Sequence, residues 1–264
     1  MTRDRVVTVL LICLFVTTES VRAQFGGPNG EAEEGKAKLI EIEGLKRLAP
    51  DANAWVDMKR KYVVFDGLIS MRAGPLEMFV CTRGTKEHES VISAGCPAFI
   101  VHAGLLAVGA KQGNTVKWDP EYVPASGTEI DIWILWKDRE GKHRQIRAQE
   151  WIRDLKTGKP MAHHWVFAGS GFWKDDQTGE EHYMAEGGDF ICVSNFSSAT
   201  LDLPIRSSQE TSGLLFEAVK ERIPVRGTHV RVVLIPKLEK PMKDTQASPK
   251  PQPSTQSPGE SDAP

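Results

Sequence analysis

The chain has 264 residues and a formal net charge of −2, from 33 basic and 35 acidic side chains. No basic stripe with interleaved aromatics runs through it, so nucleic-acid binding has no support. Between two compositionally biased ends lie about 200 residues, enough for one domain with a substantial core.

Arg3 and Arg5 precede an apolar run over 6–17, and Val21-Arg22-Ala23 places small residues where a signal peptidase reads. This pattern predicts a signal peptide over 1–23, cleaved after Ala23. The run is shorter than the roughly 20 residues a spanning helix needs, so a retained anchor is the weaker reading. Export to the periplasm or the extracellular space is expected, with no transmembrane segment after cleavage. A flexible segment over 24–36 should lead into a single globular domain over 37–236. The tail over 237–264 holds six prolines among Ser, Thr, Gln and Lys, and that composition predicts disorder.

Within the domain most segments read as strands. Residues 61–65 are β-formers, Asp66-Gly67 reads as a hairpin turn, and 68–72 returns. A further strand covers 76–81. Residues 85–110 read as two helices broken at Gly95 and Pro97. Thr85 is the candidate N-cap, Glu87 and Glu89 fall in the first turn, and 97–110 is apolar on nearly every face. Strands are expected at 130–136, 143–148 and 163–168, with a helical turn over 149–154. Residues 182–184 and 190–193 should pair around Gly187-Gly188. Residues 214–220 read as helical, and 230–235 as a terminal strand. The expected fold class is α+β: a mainly antiparallel, curved β-sheet covered by one buried helical hairpin.

Removing 1–23 leaves Cys81, Cys96 and Cys192. An odd count in an exported chain permits one disulfide and one free thiol. Cys81 and Cys192 both fall on expected strands, so they are the preferred pair, with Cys96 free. Cys96 precedes a helix start, where a thiol can become reactive, but burial as a small hydrophobe is the stronger reading.

Among the chemical motifs, His88, Glu89 and Ser90 are the catalytic candidates, with Lys86 beside them. The zinc-protease pattern needs a histidine four residues after His88, and that position is Ile92. A metal held by His88, Glu89 and His102 stays open, because ligands need not be near in sequence. The favoured alternative makes His102 a satisfied core histidine and ties His88, Glu89 and Ser90 to nearby loops. Ala168-Gly169-Ser170-Gly171-Phe172 lacks the outer glycines of a nucleophile elbow, so a tight turn is expected there. No C-x-x-C occurs, so an iron–sulfur cluster has no ligand set, and no cofactor is predicted.

Three stretches together resemble the bacterial YdjY-domain family: Lys86-Glu87-His88-Glu89-Ser90, His102-Ala103-Gly104-Leu105-Leu106 with Gly109, and Trp165-Val166-Phe167-Ala168-Gly169-Ser170. Ser194-Asn195-Phe196 and Leu201-Asp202-Leu203-Pro204 fit exported members from planctomycete-type bacteria. The resemblance covers 39–236 and implies a domain with no established activity. A ferredoxin-like label attached to some members does not suit three unpaired mature cysteines. On these motifs the binding candidates are Lys86, His88, Glu89, His102, Ser170 and Asn195. The expected function is an exported, non-enzymatic binding or accessory module for a protein or small-molecule ligand. The alternative is a metal-dependent or acid–base enzyme around His88, Glu89 and His102.

Overall fold

The computed structural model describes residues 41–207 and 213–238. The expected signal peptide (1–23), the 24–36 segment and the tail beyond Leu238 lie outside them. In chain order the strands are β1 (Lys46–Arg47), β2 (Ala54–Asp57), β3 (Tyr62–Ile69), β4 (Gly74–Pro75), β5 (Met78–Thr82) and β6 (Ser90–Ala94). The helix α1 (Ala98–Ala107) follows, then β7 (Glu129–Lys137), β8 (His143–Arg147), β9 (Ile152–Asp154), β10 (Trp165–Phe167), β11 (Phe172–Lys174) and β12 (Glu181–Tyr183). The last four are β13 (Ile191–Cys192), β14 (Leu201–Asp202), β15 (Phe216–Ala218) and β16 (His229–Pro236).

Alternation sets the inner wall. In β7 and β16 every second residue is buried: Ile130, Ile132 and Ile134, then Val230, Val232 and Leu234. Their register places Val232 opposite both Ile134 and Phe65, so the apolar faces of three neighbouring strands point into one core. From β3 the ladder runs through β16, β7, β10, β14, β13, β5 and β6, and β6 pairs with β3 again. That closes an eight-stranded barrel, which leaves no unpaired edge in its wall. Six of its pairings are antiparallel, and β13–β14 and β5–β6 are parallel. Outside it, β2 adds to β3 and buries Trp55 with Tyr62 and Val64 in a smaller second core.

The fold is therefore mostly β, and the expected curved sheet under a helical hairpin is corrected. Residues 86–89 form turns, and 90–94 form β6 rather than the first helix. All five β6 residues are buried, and the strand is hydrogen-bonded on both sides, to β5 and to β3. Two ladders outweigh any local helix preference of Ser-Val-Ile-Ser-Ala, whose Val91 and Ile92 suit a strand in any case. The Asp66-Gly67 turn is also overturned, because β3 runs straight through it. Gly67 serves close approach instead: a Cβ there would lie 2.6 Å from Ile92 Cγ2 and 3.0 Å from the Ser93 carbonyl oxygen. Residues 216–218 are strand, pairing with β4 and β9. β12 pairs with β11, whereas β13 joins the barrel.

The one α-helix among the described residues packs Ala98, Val101 and Leu105 into the barrel core. Gly104 lets it approach closely, since a Cβ would meet Leu48 Cδ1 at 2.7 Å and Val63 Cγ2 at 3.2 Å. The opposite stripe of α1 carries no charge: Phe99, Ala103, Leu106 and Ala107 are exposed.

Candidate binding site at one end of the barrel

Parallel β5 and β6 require a crossover, and residues 83–89 provide it along the outer wall. Lys86 sits in its middle. Its ammonium donates to Asp189 Oδ1 at 2.9 Å, lies 4.0 Å from Glu89 Oε1, and rests 4.3 Å above the Phe196 ring. Burial disfavours the charge on Lys86, but the hydrogen bond and charge of Asp189 outweigh that and raise its pKa. Ser198 Oγ donates to the other Asp189 oxygen. Nearby, burial and then the charge on Glu89 push the Glu77 carboxyl above the ordinary range. His88 stands at the rim, its side chain 78% exposed, with Nε2 3.8 Å from Glu89.

Behind this centre lies a second, deeper one. Asn195 Nδ2 donates to Asp202 Oδ1 at 3.0 Å and to the Leu203 carbonyl at 3.0 Å, while Asn195 Oδ1 accepts the Ser207 amide at 2.8 Å. Asp202 is fully buried, and its Oδ2 has no hydrogen-bond partner among the described residues. Burial pushes its pKa up to about 7, against the pull of Asn195 and the Leu203 amide.

His102 belongs elsewhere. Its ring is buried against Phe167 and Tyr183, and its Nδ1 lies 2.8 Å from the Tyr183 hydroxyl. Burial lowers its pKa. Tyr183 in turn donates to the Gly169 carbonyl and meets Thr200 Oγ1 at 3.0 Å. His102 and His88 share no partner, and among the described residues no group of three His, Cys, Asp or Glu side chains is placed to hold a metal. Ser90 is wholly buried and donates to the Ile92 carbonyl. Ser170, at φ 54°, donates to the Ser198 carbonyl at 2.6 Å, so its hydroxyl is committed to a turn.

The three described cysteines are free, buried thiols. Cys81 and Cys192 do lie on paired strands, but the register puts Cys192 opposite Met78, so the preferred disulfide is not formed. Burial raises the pKa of each thiol, and for Cys96 the charge of Glu186 adds to the effect. A reactive Cys96 is thereby disfavoured.

One segment joins these parts at the end of the barrel where β5, β6 and β10 finish. Glu186 Oε1 accepts the Phe99 amide at 2.9 Å at the start of α1, and its carbonyl accepts Thr82 Oγ1 at 2.8 Å. Gly188, at φ +118°, packs on Thr85 and Lys86, and Asp189 pairs with Lys86. The ion pair thus pins the 184–189 segment that supports an aromatic cluster. In that cluster Phe99 meets Phe172 edge-on at 5.9 Å and Tyr183 at 5.7 Å, and Phe172 lies 5.2 Å from Tyr183. Tyr183 is buried, but Phe99 is 43% exposed and Phe172 55%. Trp173, 50% exposed, stacks on His182 across the β11–β12 hairpin.

The structure therefore brings Lys86, Glu89 and Asn195 into neighbouring polar centres and leaves His102 and Ser170 in separate packing. Asp202 and Phe196 stood in the quoted motifs but carried no chemical signal of their own. Asp189, Glu77, Phe99 and Phe172 had none: they converge only through pairings across the barrel wall.

No curated protein and no solved structure matches the chain. A family model described as the YdjY domain matches residues 54–235, a span running from β2 into β16 that takes in both polar centres and the aromatic cluster. The chain belongs to the YdjY-domain family.

Proposed function

We propose that this protein is an exported, non-enzymatic binding module whose contact surface is the aromatic end of the barrel. The observation that carries the reading is the exposure of Phe99 and Phe172 in edge-on contact, on a helix and a hairpin at the end of a closed barrel. Exposed aromatic clusters on rigid elements are the usual anchors of interfaces. The polar centre at Lys86 supports the same reading, because its charges answer one another across Asp189 and Glu89. Export rests on the charged, then apolar, N-terminus.

A neutral apolar dye such as Nile red tests the surface. The full chain should enhance its fluorescence. The double variant Phe99→Ser/Phe172→Ser should weaken dye binding several-fold with the circular dichroism unchanged. Trp118→Ser, an exposed aromatic outside this face, should not. Equal dye binding by all three proteins would contradict the proposal.

A second reading is favoured by the raised Glu77 carboxyl beside Glu89 and Lys86: an acid–base site on the outer wall. Turnover of any substrate in an esterase, phosphatase and glycosidase panel, abolished by Glu77→Gln, would establish it against the binding module.

A further inference from the structure

We infer that the aromatic end docks a basic, apolar polypeptide segment of a protein partner. This rests on the aromatic end being the contact surface and adds the chemistry of what it contacts.

The argument is charge complementarity around an apolar centre. The β11–β12 hairpin presents Phe172 on the face toward α1 and Trp173 on the other, and its turn and flanks hold Asp175, Asp176, Glu180 and Glu181 against Lys174 and His182. Asp175 is used within the turn, accepting the Gln177 and Thr178 amides at 2.7 and 3.0 Å. Asp176 and Glu181 are exposed. Glu186 adds a carboxylate at the α1 side, where it caps Phe99. Beside this rim α1 offers an uncharged stripe of Phe99, Ala103 and Leu106, with Leu106 47% exposed. Within the hairpin Glu180 lies 4.0 Å from His182 and Glu181 sits opposite Lys174. The rim therefore keeps an excess of negative charge centred on Asp176, which a purely apolar partner would leave unused and an acidic one would meet with repulsion. A segment alternating lysine or arginine with large apolar residues satisfies both: its apolar side chains meet Phe99, Phe172 and Leu106, and its cations reach the rim and the aromatic faces. An anionic membrane surface fits poorly for the same electrostatic reason.

The test uses the full chain and three labelled twelve-residue peptides of alternating sequence, Lys-Leu, Ser-Leu and Glu-Leu, followed by fluorescence anisotropy. Lys-Leu should bind at least about ten-fold tighter than Ser-Leu at low salt, Glu-Leu should not bind, and the preference should shrink in high salt. Phe99→Ser/Phe172→Ser should lose Lys-Leu binding, and Asp176→Lys/Glu181→Lys should lose the preference for Lys-Leu while keeping the fold. If Ser-Leu and Lys-Leu bind alike and both need Phe99 and Phe172, the basic partner is overturned and the aromatic surface stands. If Lys-Leu binding ignores the aromatic substitutions, it is diffuse charge attraction and the docking site is overturned. Should no peptide bind, the basic partner again falls, and the Nile red series decides whether the aromatic surface falls with it.

Discussion

Asp202 is the residue whose environment most constrains its chemistry. Its carboxyl is fully buried with one oxygen unpartnered, and its pKa is pushed up to about 7, against about 3.9 in an unfolded chain. The folded state thus holds the proton more tightly. The stability this gives is complete below about pH 4 and is lost as pH rises through about 7. Asp202→Asn imitates the protonated form and keeps an oxygen for Asn195 and the Leu203 amide. Its stability relative to the parent should therefore climb between pH 5 and pH 8, by roughly 2–4 kcal/mol in urea unfolding. A pH-independent difference would mean that Asp202 is ionised throughout. His102 works in the opposite sense: its lowered pKa favours the folded state above about pH 6.5 and costs stability as pH falls below it. His102→Gln should flatten that acidic limb. Cysteine chemistry is decided at this scale too. In protein beginning at Gln24, a thiol reagent should label none of Cys81, Cys96 and Cys192 until unfolding and then all three. One reactive thiol after unfolding without reductant would restore the Cys81–Cys192 disulfide.

Among the elements, β6 and α1 show where local sequence was legible and where it was not. Residues 98–107 are helical, as their apolar run after Pro97 predicts. Strands 129–137 and 229–236 were equally legible from their runs of β-branched residues. β6 was not, because Thr85, Glu87 and Glu89 imitate a helix start although they serve a crossover, and the ladders that make 90–94 a strand come from Gly67, Leu68 and Ile69 of β3 and from the neighbouring β5. Gly67 and Gly104 were misread or passed over for a related reason, since the atoms that exclude a Cβ are distant in sequence. Gly104→Val should destabilise the fold by about 1–3 kcal/mol, measured by urea unfolding, through overpacking against Leu48 and Val63. A neutral result would mean that α1 is not seated on β3.

At the scale of the whole molecule, closure of the barrel is what assembles a surface from residues far apart in the chain. Phe99 follows β6, Phe172 follows β10, and Asp189 precedes β13, and all three come together because those strands share a wall and an end. No pattern within a single segment of sequence reports that convergence. The family motif was legible, but it points to Lys86, whose ion pair with Asp189 holds the segment beneath the site, and to the separate Asn195 centre, more than to the aromatic side chains displayed. The central claim is that binding happens at those side chains. Hydrogen exchange of the full chain with and without the Lys-Leu peptide tests it most directly. The account predicts added protection confined to 98–107 and 172–183, with the crossover at 83–89 unchanged. Protection centred on 83–89 and the Glu77 region, with α1 and the β11–β12 hairpin unaffected, would contradict it.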